Sequence, residues 1–285
     1  MAEKLTVKQD DTLLKFLFAT LNGWSKKKVK ERLKSATVAV NGTVTTKHDF
    51  SLSANDIVEV GVVAKRKTSL HAISTLEILY QDSDIIAINK PHGLLSVGTT
   101  KENKQHALAL LRNQLSRGKK GLQIFPVHRL DRDTSGVLLF ATSKEIREKI
   151  MEKWDDAQKV YLAIVEGRPK ELKGIIDQPL RLDEKEYKMH VGQHKFAKHA
   201  LTYYEVKEVE PKRSLLEVRL ETGRQHQIRA HLSWLGHAVV GDERYGKKGD
   251  KLGLHARYLK IYHPVKKSFL SFEVDAPSEF YGLLR

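Results

Sequence analysis

The densest group of reactive side chains in this 285-residue chain is Pro126-Val-His128-Arg129-Leu130-Asp131-Arg132-Asp133-Thr134-Ser135-Gly136. Two carboxylates stand there among two guanidiniums and an imidazole, directly before the apolar run Gly136-Val-Leu-Leu-Phe-Ala141. A carboxylate flanked by arginines is held ionised, which suits a nucleophile or base better than a general acid. A structural turn is the competing reading: Asp133, Thr134 and Ser135 could satisfy local backbone groups, with Asp131 tied to a neighbouring arginine. A second group, Leu220-Glu-Thr222-Gly223-Arg224-Gln225-His226-Gln227-Ile228-Arg229-Ala230-His231-Leu232, follows a strand-like segment. Read as a helix from Gln225, it places Ile228, Leu232 and Leu235 on the core side, and Gln225, His226 and Arg229 on one polar face. A cationic, amide-rich helix start after a Gly turn suits phosphates or base edges. Its bland alternative is a polar face that is merely wet.

Both groups need strands and helices to hold them. Strand-like runs occur at Glu77–Tyr80, Ile85–Asn89, Gly136–Phe140, Lys159–Val165 and Leu215–Leu220, with helical patterns at Ala107–Arg117, Ser143–Lys153 and Gln225–Leu235. This mixture predicts an α+β fold rather than a regular βαβ alternation. The N-terminal part forms its own pattern. A helix begins near Thr12 and stops near Asn22-Gly23; Ser25 caps a second helix over Lys26–Lys34, with Val29 and Leu33 on one face. Thr37–Thr45 carries an Asn41-Gly42 hairpin turn, and Asp56–Val60 closes the pattern as a strand. The expected organisation is a small domain over 1–63, a polar linker over 64–74 and a larger domain over 75–285.

Charge indicates the partner. The chain has 50 Lys and Arg against 35 Asp and Glu, a formal +15, which favours a polyanion such as nucleic acid. Six of these cations lie between Gly23 and Lys34, including Lys26, Lys27, Lys28 and Lys30. Three fall in the first helical turn, where the macrodipole disfavours cations, so they are better suited to phosphates than to helix stability. A solvated charged face is the alternative. There is no cysteine, which excludes disulfides, thiolate metal sites and a cysteine nucleophile. No apolar stretch is long enough to span a bilayer, and the first ten residues hold no apolar signal region, so a cytoplasmic protein is expected.

Three other patterns bear on specific chemistries. Gly241–Lys248 approaches a phosphate-binding loop, but Lys248 replaces the magnesium-binding hydroxyl, and Asp242 and Glu243 would repel phosphate. His190, His194 and His199 are surrounded by Lys188, Lys195 and Lys198, so no metal is expected. Gly-x-Ser-x-Gly is absent.

The motifs together resemble one family. His128-Arg-Leu-Asp131-Arg-Asp-Thr-Ser-Gly136 is similar to the signature loop of the RluA-type pseudouridine synthases. Asn89-Lys90-Pro91-His-Gly93-Leu94, Lys159-Val-Tyr161-Leu-Ala, Thr222–Leu232, Gly241-Asp242-Glu-Arg-Tyr245-Gly246, and Leu254-His255-Ala256 with His263-Pro264 resemble further segments of that family, in its order. Gln225 stands where Thr is commoner. The small domain resembles an S4 RNA-binding domain, with Ala36 where Gly is usual.

The resemblance implies a catalytic domain on a mixed, mostly antiparallel sheet flanked by helices and loops, beside a small α/β S4-like domain. It implies Asp131 as the catalytic carboxylate, Arg229 as its partner, and Tyr161 as the ring that stacks near the uracil and is a candidate base for the C5 proton. Arg129 would help open the RNA or hold the flipped base. His128, Arg132, Arg224, His226, Lys26, Lys27, Lys28 and Lys30 complete the expected RNA contacts. The expected function is conversion of specific uridines to pseudouridine in structured RNA, ribosomal in preference to transfer RNA, by a monomer without cofactor or metal. The competing class is a non-catalytic RNA-binding or ribosome-assembly factor.

Overall fold

A computed structural model describes residues 3–21, 23–34, 37–61, 75–99, 105–116 and 123–285. The linker expected over 64–74 lies outside them, as do Asn22, Ala36 and Arg117. The chain divides into two compact units, Met1–Ala72 and Ile73–Arg285. No helix among the described residues is long and apolar enough to cross a membrane.

The small unit contains β1 (Glu3–Thr6), β2 (Asp11–Thr12), α1 (Leu13–Thr20), α2 (Lys26–Lys34), β3 (Val38–Val40), β4 (Thr43–Val44), β5 (Ser51–Leu52) and β6 (Ile57–Val60). Four strands form a sheet in the order β1-β6-β3-β4, and β2 pairs with β5. The helices turn Leu13, Leu17, Val29 and Leu33 into one core with Val38, Val40, Val58 and Val60. Fully burying such a side chain stabilises by roughly 1.5–3 kcal/mol. Ser25 caps α2, its Oγ accepting the Lys28 N–H at 3.2 Å. The hairpin turn needs two left-handed residues, and Asn41 (φ 49°) with Gly42 (φ 77°) supplies them. The Asn41 amide then staples the turn to β6, donating to Asp56 Oδ1 at 2.8 Å and accepting the Ile57 N–H at 2.9 Å.

The larger unit is built from β7 (Glu77–Gln81), β8 (Ile85–Lys90), α3 (Ala107–Ser116), β9 (Phe125–Pro126), β10 (Ser135–Ala141), α4 (Lys144–Glu152), β11 (Gln158–Glu166), β12 (Lys173–Asp177), β13 (Leu180–Asp183), β14 (Lys188–Val191), β15 (Leu201–Val209), β16 (Arg213–Leu220), α5 (Gln227–Trp234), β17 (Leu254–His263), β18 (Ser268–Glu273) and α6 (Ser278–Tyr281). Its main sheet runs β12-β15-β16-β11-β17-β10-β8-β7, with β18 beside β17 and β9 beside β10. The ladders are antiparallel except where β10 meets β17 in parallel, at Ser135↔His255 and Gly136↔Ala256. The mostly antiparallel α+β architecture is therefore present.

Every residue of β10 is buried, because apolar groups cover both faces. Leu138 and Phe140 pack with Leu108 and Leu111 of α3 on one side. Val137 and Leu139 pack with Ile146 and Ile150 of α4 on the other. That explains a continuous apolar run in place of alternation. The strands at 173–177, 180–183, 188–191, 201–209 and 268–273 were not expected; their charged, half-exposed residues gave no apolar period. One helix also differs from expectation. α5 starts at Gln227, two residues late, because His226 adopts φ 50° and ψ 20° and ends the approach to it.

Gly136 lies where β10 and β17 approach closely. Its φ is +111°, and a Cβ there would lie 2.1 Å from the Ala256 carbonyl oxygen. An L-residue would meet both backbone strain and a backbone clash. Gly136→Ala is therefore expected to destabilise the larger unit by roughly 3 kcal/mol or more. Thermal unfolding followed by circular dichroism measures this; an unchanged melting temperature would contradict so close a β10–β17 approach.

Candidate active site

The Asp131 loop, between β9 and β10, is fixed at almost every residue. Ser96 Oγ donates to the Leu130 carbonyl at 2.7 Å and accepts the Leu130 N–H at 3.0 Å. The Thr134 N–H closes a turn on the Asp131 carbonyl at 3.2 Å. Ser135 Oγ is hydrogen-bonded to His255 Nδ1 of β17 at 2.8 Å. Beneath the loop lies Lys90, whose side chain is fully buried. Its ammonium donates to the carbonyls of Pro91 (3.0 Å), Leu94 (2.7 Å) and Arg132 (3.0 Å). Burial pushes its pKa down to about 7, against the opposing charges of Asp133 and Asp131. All three ammonium protons are thus used to clamp the loop onto the end of β8.

Asp131 meets Arg229, 98 residues later, with Nη1 donating to Oδ2 at 2.8 Å. The same guanidinium is gripped from behind by Asp242, Nε to Oδ2 at 2.7 Å and Nη2 to Oδ1 at 2.8 Å. Asp242 is fully buried and also accepts the N–H groups of Arg244 (3.0 Å) and Tyr245 (3.1 Å). Burial alone would raise the Asp242 carboxyl, but Arg229 and these backbone donors outweigh it and hold it below its ordinary range. Burial likewise acts against the Arg229 charge, and the two carboxylates more than offset it, raising its pKa. Arg229 is therefore spent on carboxylates and is not a phosphate contact.

Tyr161 lies on β11, where the register with β17 shifts between Val160 and Tyr161. Such a bulge re-aims a side chain, and Tyr161 lines the same cleft as Asp131, a cavity of about 520 Å³. Trp154, Leu220, Ile228 and Leu254 give that cleft apolar walls; Arg129, Arg147, Lys159 and Arg224 give it cations. Burial, and then the Asp131 charge, pushes the Tyr161 phenol above its ordinary pKa. At neutral pH it is an uncharged phenol. A second cavity of about 470 Å³ adjoins the first and shares Arg129, Leu130, Asp131, Gln225, His226 and Arg229 with it.

The remaining expected residues divide into two groups. Arg129 and Arg132 are exposed, Arg129 at the edge common to both cavities and Arg132 in the second. Arg224 lines the first cleft while its Nε donates to the His199 carbonyl at 3.0 Å. His128 instead serves as a wall. Its Nε2 accepts the Leu139 N–H at 3.2 Å and its ring lies 5.4 Å from that of Trp154. Burial, with Lys159 nearby, pushes it down to about 4, so it is neutral. Gln225 and His226 do not share a helical face with Arg229, since both precede α5. His226 nonetheless turns toward Asp131, with Nε2 3.7 Å from Oδ1. Lys26, Lys27 and Lys30 line a shallow cavity on α2, and Lys28 Nζ stands 4.2 Å over the Trp24 ring.

Sequence reasoning missed Lys90, Ser96, Asp242 and Gln227 as site-building residues. Gln227 is a buried clamp, accepting from Thr222 Oγ1 and the Arg224 N–H and donating to the Leu201 carbonyl and Thr202 Oγ1. Asp242 stood inside a quoted motif, yet nothing in its spacing pointed to a residue thirteen positions earlier. A cluster of Asp82, Asp84 and His263 has metal-compatible spacing, and its Asp82 Oδ2 is ion-paired with Lys266 Nζ at 2.8 Å.

Asp242→Asn leaves Arg229 without its buried partner and is expected to cost about 3 kcal/mol at pH 7. A depressed carboxyl stabilises fully above its ordinary value of 3.8, and the contribution is lost as pH falls through the lowered one. The melting-temperature deficit of the variant should therefore shrink in acid. A deficit that stays constant down to acid unfolding would contradict the charge argument.

Comparison with known proteins agrees with the geometry. Residues 84–234 match the RNA pseudouridylate synthase family. The tRNA pseudouridine synthase C of Haemophilus ducreyi is 38% identical over 215 residues, covering 66% of this chain and 86% of the relative. The ribosomal large subunit pseudouridine synthase D of Vibrio cholerae is 31% identical over 281 residues, covering 90% and 85%. Among solved structures, human RNA pseudouridylate synthase domain containing 1 superposes with a TM-score of 0.61 at 25% identity, over 72% of this chain and 85% of that one. With the signature loop, the Tyr-bearing strand and the Arg-bearing helix meeting at one cleft, the chain belongs to the RNA pseudouridine synthases of the RluA type.

Proposed function

We propose that Asp131 is the catalytic carboxylate of this isomerase, acting on a uridine of structured ribosomal RNA. The observation that carries this is the Asp131–Arg229 ion pair at the edge shared by two cavities, with the carboxylate still 29% exposed. An acid needed only for structure would resemble Asp242, which is sealed on all sides. The reaction breaks the bond from ribose C1′ to uracil N1 and makes one from C1′ to C5. N1 gains a proton and C5 loses one, so no redox cofactor is required. The uracil must first leave the stack, at a cost of a few kcal/mol in paired RNA. Arg129, Arg132 and Arg224 suit the displaced backbone, and the apolar walls suit the base. Tyr161 offers a stacking surface. As a neutral phenol it takes the C5 proton only if its own departs in the same step.

The small unit is proposed as an S4-like RNA handle. Its basic helix start supports this, with Lys28 over Trp24 forming a flat cationic surface. Ribosomal RNA is favoured because the Vibrio cholerae relative matches a span longer than the larger unit alone, whereas the transfer-RNA-named relative matches a shorter one. The protein is proposed to act as a monomer. The cytoplasm, where such RNA is made in bacteria, is the proposed compartment.

Asp131→Asn keeps size and removes charge, so the folded variant should release no tritium from RNA carrying 5-tritiated uridine while still binding that RNA. Release near the wild-type rate would make Asp131 a turn residue. Comparing pseudouridine maps of ribosomal and transfer RNA from cells with and without the protein identifies the substrate. Replacing Lys26, Lys27 and Lys28 with Gln should weaken RNA binding and flatten its salt dependence by up to about 0.7–0.9 log units per lost phosphate contact. Unchanged affinity and slope in a salt titration would overturn the handle.

A further inference from the structure

Arg229 occupies Oδ2 of Asp131, and the other oxygen, Oδ1, faces His226 Nε2 at 3.7 Å. His226 is held in that direction at some cost. Its backbone is left-handed, φ 50°, which is uncommon for a residue with a Cβ. Its Nδ1 lies 3.1 Å from the Tyr245 hydroxyl. That hydroxyl oxygen already accepts the Met189 N–H of β14 at 2.7 Å. With its acceptor side used by Met189, the tyrosine places its own hydrogen on His226 Nδ1. A neutral imidazole that accepts at Nδ1 must carry its proton on Nε2.

We propose that His226 is a positioning residue for Asp131, set by Tyr245 as the Nε2–H tautomer so that this N–H meets the carboxylate oxygen that Arg229 leaves open. The reading rests on Asp131 being the reacting group. Burial, with Arg229 and Arg244 nearby, lowers the pKa of His226 against the opposing pull of Asp131 and Asp242. The ring is therefore neutral at neutral pH, and its tautomer decides what it can do. The 3.7 Å separation is longer than a hydrogen bond; such contacts tighten when substrate closes the site. Each carboxylate oxygen keeps a free lone pair for the substrate. One N–H on each oxygen fixes the plane of the carboxylate as well as its place. Arg229 alone leaves it free to rotate about that single contact.

The test uses two amides that match different ring nitrogens. In His226→Gln the amide nitrogen falls near the position of Nε2; in His226→Asn it falls near Nδ1. The backbone prefers the opposite order, because Asn tolerates the left-handed region better than Gln. Single-turnover tritium release is measured with ribosomal RNA transcripts carrying 5-tritiated uridine, alongside the protein concentration giving half-maximal rate. His226→Asn should lose roughly 10- to 100-fold in the saturated rate, as befits a lost hydrogen bond to a charge. His226→Gln should recover most of it, with half-saturation unchanged in both. Tyr245→Phe keeps the ring packing and frees the tautomer, so a several-fold rate loss at unchanged half-saturation is expected.

If Asn equals or exceeds Gln, His226 is a backbone cap. If the loss lies in half-saturation, it is an RNA contact. If Tyr245→Phe reacts at the wild-type rate, the tautomer is not set there. Each of these overturns the proposal while Asp131→Asn remains inactive. An active, folded Asp131→Asn would instead sink both readings together.

Discussion

A single guanidinium with a carboxylate on either side organises the larger unit. Arg229 cannot be buried without charge partners, and Asp242 supplies one with two parallel hydrogen bonds from a fully enclosed position. Of the three N–H groups that pairing leaves, Asp131 takes one, on Nη1. The division of labour follows from exposure: the carboxylate with no access to solvent anchors, and the one with access is available to a substrate. The arrangement joins the β10 loop, α5 and the 241–246 loop, three segments with no local reason to meet. The pair contributes to geometry more than to net stability, since desolvating three charges offsets much of their attraction.

The loop that presents Asp131 is held by the same logic applied to neutral groups. Lys90 satisfies three carbonyls and Ser96 both polar groups of Leu130. Lys90 lines neither cavity, and the hydroxyl of Ser96, at the wall of the second, is engaged on Leu130. They hold the eight-residue loop 127–134 in one shape, which fixes where the Asp131 carboxylate stands.

Much of this was legible in the chain. The continuous apolar run after Gly136 predicts a strand, and β10 forms there with every residue buried. Ser25, the Asn41-Gly42 pair, Val29 and Leu33 each carry a local signal strong enough to place the small unit's elements. The Asp131 loop stood out for two carboxylates among arginines, although the same residues also read as a structural turn. Other features were hidden for physical reasons. His226 breaks the helix pattern through a left-handed φ that histidine does not advertise, so α5 was read two residues early. The edge strands β12 and β18 are largely exposed, and alternation is lost where neither face is dry. Lys90 looks like any surface lysine until three carbonyls converge on it. Contacts across 98 residues, such as Asp131 to Arg229, have no period to read at all.

The strand order has a consequence for how the molecule is made. β17 sits between β11 and β10 in the sheet, yet it comes after both in the chain. Until residues 254–263 arrive, β10 and β11 each present an open ladder edge, and the two halves of the sheet have no common strand. Loop closure across more than a hundred residues must precede the Gly136↔Ala256 contact. A ribosome therefore releases most of this chain before the floor beneath Asp131 exists. The nascent protein carries the basic α2 early and the complete cleft around Asp131 only once residues 254–263 are in place.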